Sequence, residues 1–139
     1  MESTHQATAV FNKMYSKDGF SEWLGIKSIK TELGHTILEM EVRAEMLNGF
    51  GVAHGGIVYS LCDSAFAFCC NSYNQISVSI QTSISHTMPI READIITAEA
   101  KLIHQSNRVG NYEVIAKNQK GDVVACFHGV CYKKEQTHF

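Results

Sequence analysis

The sequence predicts an α+β fold in which an antiparallel sheet wraps one long central helix. Three observations predict it. A nearly all-apolar segment of helical length, from Gly56 to about Ser72, sits mid-chain, and a helix apolar all round is a buried one. Two runs of alternating polarity precede that segment. Four further strand-like runs follow it, and one sheet packed on one helix is the simplest way to bury both.

Each element follows in order. Residues 5–16 (HQATAVFNKMYS) put Ala9, Val10, Phe11, Met14 and Tyr15 near helical spacing, which predicts a short amphipathic helix ended by Gly19. Ser21–Leu24 form a further short turn. Ile26–Leu33 and Thr36–Val42 alternate apolar with polar residues around Gly34-His35, the pattern of two strands and a tight turn. Residues 44–55 are rich in Gly and Asn and read as a loop. After the central helix come strands over Ser77–Met88, Asp94–His104, Tyr112–Asn118 and Val123–Tyr132. Gly110-Asn111 and Gln119–Asp122 mark hairpin turns, and Pro89, the only proline, falls between strands. An open antiparallel sheet invites a symmetric partner, so self-association is expected.

The chain has 139 residues, which suits one domain with a real core. We read residues 1–139 as that domain, with about 1–20 as an N-terminal helical extension and 134–139 as a tail. Hydrophobic residues make up 45% and charged residues 19%, so the chain folds rather than staying disordered. The net charge is −2 and the longest basic run is Lys133-Lys134, which argues against nucleic acid or an anionic membrane as partner. No signal peptide and no membrane-spanning stretch are evident, so a cytoplasmic location is expected. The five cysteines, Cys62, Cys69, Cys70, Cys126 and Cys131, lie in apolar surroundings and read as small buried hydrophobes in a reducing compartment.

The chemistry concentrates in Asn48–Tyr73, NGFGVAHGGIVYSLCDSAFAFCCNSY. Asp63 is a lone carboxylate inside the apolar helix. Such a group costs free energy unless it is paired, and Ser60 and Ser64 are its nearest structural partners in sequence. Desolvation would strengthen it as a base, and as a nucleophile it needs only to face an electrophile. Gly55-Gly56 lets a ligand approach the backbone closely, at a helix start whose amides lack partners. The Asn48 amide, the His54 ring and the Gly55 N–H suit a developing oxyanion. The histidines form no H-E-x-x-H pattern, so no metal is implied. No G-x-S-x-G elbow is present. Cys62 adjoins Asp63 but points about 100° away on a helix, with no paired histidine.

The run N-G-x-x-x-x-H-G-G, with Asp63 eight residues after Gly55 in Y-S-L-C-D-S-A-F-A, resembles the hotdog-fold acyl-CoA thioesterases, within them the phenylacetate-degradation (PaaI-like) branch. The resemblance extends over roughly residues 20–135 and includes S-I-S-H-T-M-P. It implies a hotdog fold and hydrolysis of aryl- or medium-chain acyl-CoA without any cofactor. Asp63 matches the catalytic acid, as general base on water or as nucleophile. Gly55 matches the glycine whose N–H polarises the thioester oxygen. His54 and Asn48 match residues that position that oxygen, the acid or the water. Ser79, ten residues before Pro89, matches a Ser or Thr that helps hold the water. The resemblance also implies dimers, commonly paired into tetramers, with Asp63 of one subunit facing His54 and Gly55 of the other. CoA would lie along the surface with its pantetheine arm reaching in, near Gly56, and Arg108 is the candidate phosphate contact. Phe50 stands where several relatives carry a polar residue, which bears on the acyl pocket. A non-catalytic acyl-CoA-binding module is the alternative on the same fold. A dehydratase would want its histidine and carboxylate in a different motif.

Overall fold

The computed structural model describes residues 2–139. Helix α1 (Glu2–Tyr15) and α2 (Gly19–Leu24) come first, then strands β1 (Lys27–Glu32) and β2 (His35–Glu41). A 3-10 turn (Ala44–Met46) and a loop lead to α3 (Gly55–Asn71), followed by β3 (Gln75–His86), β4 (Ile95–Gln105), β5 (Val109–Lys117) and β6 (Val123–Thr137). The strands form one antiparallel sheet in the order β1-β2-β4-β5-β6-β3. Helix α3 packs on β2 through β6, as the α+β expectation required. No described helix is long and apolar enough to cross a membrane.

The sheet accepts α3 closely because its inner positions are small. Ala98, Ala100 and Ala116 are fully buried among Leu38, Met40 and Val114. Against them α3 sets Leu61, Cys62, Ala65, Phe66 and Cys69, each large apolar side chain contributing about 1.5–3 kcal/mol by leaving water. Helix α1 covers the far side of α3. Its Ala7, Val10 and Phe11 are buried, and Phe11 meets Phe68 with ring centroids 4.6 Å apart. The N-terminal stretch is therefore part of the core rather than an appended extension.

Gly129, in β6 opposite Tyr112 and Thr82, lies under the Phe66 ring. A Cβ there would stand 2.8 Å from two ring carbons, and neither the ladder nor the fully buried ring can yield. Gly129→Ala should cost about 1–3 kcal/mol, read as a drop in Tm, with partial recovery when Phe66→Leu is added. An unchanged Tm would mean that this packing is looser than described.

Several boundaries differ from expectation for identifiable reasons. Helix α1 ends at Tyr15, and Gly19 begins α2 instead of ending α1. Asp18 caps α2, its Oδ1 accepting from the Ser21 N–H at 3.0 Å. The first hairpin turns at Leu33-Gly34, where Gly34 has φ +66°, and His35 already belongs to β2. Gly110-Asn111 is not a turn. It lies within β5, and the chain reverses at Ser106–Arg108, closed by Ser106 N–H donating to Val109 O at 2.8 Å. Gly110 answers a close approach, since a Cβ would come 2.8 Å from the Tyr112 ring and 3.0 Å from Cys131 Sγ. The turn at Gln119–Asp122 is present, with Gly121 at φ +82°. The stretch read as a tail is mostly strand, because β6 continues through Thr137 against β3. Cys126 is exposed, unlike the other four cysteines.

Candidate functional site

The entrance to α3 is built by a loop that closes on itself. Leu47 bridges Ala53, and His54 N–H donates to Met46 O at 2.8 Å. Asn48 organises the interior of this loop. Its Oδ1 accepts from Phe50 N–H at 2.9 Å and Val52 N–H at 3.3 Å, while its Nδ2 makes no hydrogen bond among the described residues. One half of the amide thus holds the turn and the other half remains free to donate.

His54 is the N-cap of α3. Its backbone is extended (φ −59°, ψ 136°), and its Nδ1 accepts from Gly56 N–H at 2.9 Å. Its carbonyl takes the Ile57 N–H at 2.9 Å. These two bonds decide which amide is available. The Gly56 amide is occupied by the His54 ring and is not available as an oxyanion donor. Gly55 N–H has no hydrogen-bond partner among the described residues, and it stands at the positive end of a 17-residue helix. A lone, fixed donor at that position suits a developing negative charge on oxygen.

Asp63 lies two turns further along α3 and is half-buried. Burial raises its pKa above the ordinary carboxyl value, the shift that strengthens a base. Neither candidate partner stabilises it. Ser60 Oγ donates to Gly56 O at 2.7 Å, and Ser64 Oγ bonds Ser21 Oγ at 2.9 Å, which ties α2 to α3. Among the described residues the carboxylate has no hydrogen-bond partner, so nothing in this chain accounts for its placement as a structural group. The neighbouring Cys62 thiol is fully buried and pushed up to about 12, mainly by burial, which removes it as a nucleophile.

Gly55 and Asp63 do not converge within one chain. Eight residues at about 1.5 Å rise separate them by roughly 12 Å along the axis, too far to act on one carbonyl carbon and its oxygen. The remaining predicted residues also stand apart. Phe50 is 93% exposed at the loop tip. Ser79 is exposed on β3, next to a register shift against β6. Ser77, two residues earlier on the same face and in regular register with β6, is buried. Arg108 sits in the β4–β5 turn and pairs with Glu135 at 2.9 Å. Among the described residues no group of three or more His, Cys, Asp or Glu side chains is placed to hold a metal.

Sequence reasoning missed His86, the last residue of β3. It lines a cavity of about 400 Å³ with Val52, Ala53, Gly55, Val58 and Met88 at the start of α3. The available signal was a histidine in S-I-S-H-T-M-P, three residues before the only proline.

Comparison with known proteins agrees with this architecture. Residues 50–125 match the family described as the thioesterase superfamily. The chain is 35% identical to the acyl-coenzyme A thioesterase PaaI of Escherichia coli (strain K12), over 94% of this chain and 93% of that protein. It superposes on the structure of the E. coli PaaI protein with a TM-score of 0.95, covering 97% of this chain and 98% of that one. A thioesterase protein with coenzyme A from Streptococcus pneumoniae TIGR4 superposes with a TM-score of 0.84 at 26% identity, covering 90% and 98% of the two chains. The family match over more than half of the chain, together with this near full-length similarity, shows that the chain belongs to the thioesterase superfamily, with a hotdog fold.

Proposed function

We propose that this protein hydrolyses acyl-CoA thioesters to free acid and CoA, with aryl-acetyl or medium-chain acyl groups as substrates. The observation that carries the reading is the unpartnered Gly55 N–H at the head of α3, on the same helix as an unpartnered, raised-pKa Asp63. The 35% identical relative is an acyl-coenzyme A thioesterase, and a solved relative holds coenzyme A, which supports CoA as the thiol.

The two groups meet when two copies associate, with Asp63 of one protomer facing Gly55 and His54 of its partner. The edge strand supports this. Strand β3 ends the sheet with one side unpaired, and Val78 through Gln81 are exposed on both faces. Val78 and Ile80 are 39% and 58% exposed, unusual for a mid-strand segment that nothing covers. Pairing two such edges antiparallel extends the sheet across a two-fold axis. Tetramers are pairs of these dimers.

The thioester oxygen lies against Gly55 N–H, where the helix dipole and the amide stabilise the charge formed as the carbonyl becomes tetrahedral. Asp63 of the partner protomer takes a proton from the attacking water, which Ser79 helps to hold, or attacks the carbonyl itself. The C–S bond then breaks and CoA leaves as the thiolate, giving the free acid directly when water attacked, or an anhydride with Asp63 that a water then hydrolyses to the acid and the free carboxylate. His54 fixes the helix start, and Asn48 offers Nδ2 beside it. Phe50 at the loop tip contacts the acyl group and Arg108 the nucleotide phosphate of CoA. The protein works in the cytoplasm.

The test is thiol release from phenylacetyl-, hydroxyphenylacetyl-, benzoyl- and straight-chain acyl-CoAs. Release from at least one class is expected. Tight acyl-CoA binding with no release from any would replace this reading with the acyl-CoA-binding module.

A further inference from the structure

We infer that His86 supplies a second hydrogen bond to the thioester oxygen, beside the Gly55 amide; the inference rests on Gly55 being the oxyanion donor. The geometry is specific. His86 ends β3, held opposite Ala125 in the ladder, and the following Thr87 is pinned by its N–H to Val124 O at 2.9 Å and its Oγ1 to Val123 O at 2.7 Å. From there the ring lies over Gly55. A Cβ built on Gly55 would stand 3.3 Å from His86 Nε2 and 3.4 Å from Cε1, but 3.9 Å from Cδ2. The polar edge of the imidazole is the edge that faces the glycine.

That contact bounds the separation of the two donors. A Cβ position lies about 2.5 Å from its own amide nitrogen by standard geometry. Adding 3.3 Å to Nε2 puts the imidazole nitrogen no more than about 6 Å from the Gly55 nitrogen. Two donors that each sit about 2.9 Å from one shared oxygen are separated by no more than that same distance. The pair therefore satisfies the span of a two-donor oxyanion site.

The ring is also free to serve. It makes no hydrogen bond or ion pair among the described residues and is exposed to the cavity it shares with Gly55. With its proton on Nε2 it donates toward the space in front of the amide. Apart from Thr87, the rest of that wall is apolar, with Val52, Val58 and Met88 in it, and a donor beside apolar groups stabilises charge more than one in water. The same contact explains the glycine. Any side chain at position 55 would press on the ring and displace Nε2.

A ring that merely walls the cavity predicts different kinetics from a ring that donates. His86→Phe keeps the wall and removes the donor, while His86→Gln keeps a donor and removes the ring. Three quantities are measured: kcat and KM on the best acyl-CoA, and the affinity for a thioether analogue that lacks the carbonyl oxygen. His86→Phe should lower kcat by about a hundredfold with KM little changed. His86→Gln should recover at least about tenfold of that loss, and the thioether should bind both variants within about twofold of wild type. Wild-type kcat in His86→Phe, equal slowing in both variants, or thioether affinity falling with kcat would each overturn the inference. Asp63→Asn, run in parallel, keeps the two claims apart. If wild type and His86→Phe turn over alike while Asp63→Asn does not, only the role of His86 falls. If wild type releases no thiol, the functional reading falls and takes this inference with it.

Discussion

Asp63→Asn should lower kcat on acyl-CoA by at least about a hundredfold, the usual size of a lost general base, and more if the carboxylate is the nucleophile. The substitution keeps the side-chain volume and removes only the charge and the basic lone pair. Near-normal turnover would remove Asp63 from the chemistry. Burial raises the native pKa of this carboxyl, so the acid limb of kcat/KM should lie above the ordinary value of about 3.9. Stability should move the opposite way to activity. The raised pKa means that the folded state binds the proton more tightly than the unfolded chain. The ionised group therefore destabilises the fold by its full amount above the native pKa, and the penalty vanishes as pH falls below the ordinary carboxyl range. Asp63→Asn should accordingly raise Tm at neutral pH by roughly 1–3 °C and lose that advantage in acid. A lower Tm at neutral pH would show that the carboxylate has a stabilising partner.

Gly55→Pro should be the second severe variant, costing about 10²–10³ in kcat, the range for removal of one oxyanion donor. It spares the helix start itself, although it also shifts the His86 ring. Gly55 is the first residue of α3, where proline is well tolerated because the N–H has no helical partner. The preceding His54 already holds the extended conformation that a following proline requires. The proline ring must displace the exposed His86 side chain by a few tenths of an ångström, which a surface histidine permits. Circular dichroism and Tm should be close to wild type while thiol release collapses. Retained turnover would mean that the amide of another residue binds the oxygen.

Local signals in the sequence carried the fold well. Strands β2 and β4 alternate buried and part-buried side chains, and α3 is apolar on nearly every face, so period and composition were enough. They failed where a residue answers a distant neighbour. Gly110 has the look of a turn residue, yet it is a glycine because Tyr112 and Cys131 leave no room for a Cβ. The end of β6 is polar and exposed over Lys134–Thr137, beyond the buried Lys133, so it shows no strand period. The site divides in the same way. The spacing of Asn48, His54, Gly55 and Asp63 was visible as a motif. The division of labour between Gly55, whose amide is free, and Gly56, whose amide His54 takes, needed the cap geometry. His86 approaches Gly55 only through the return of β3 past the helix start, and no local pattern encodes that meeting.

The central claim is that each site joins Asp63 of one protomer to Gly55 of another, and mixing two dead variants tests it most directly. Asp63→Asn and Gly55→Pro are co-expressed, and the mixed oligomers are purified by two different tags. Within each mixed dimer one site carries both lesions and the other carries neither. Each purified mixed dimer should therefore regain roughly half of wild-type activity, and an unsorted random mixture roughly a quarter. If both groups acted within one chain, every site would keep one lesion, and mixed dimers as inactive as their parents would contradict the account.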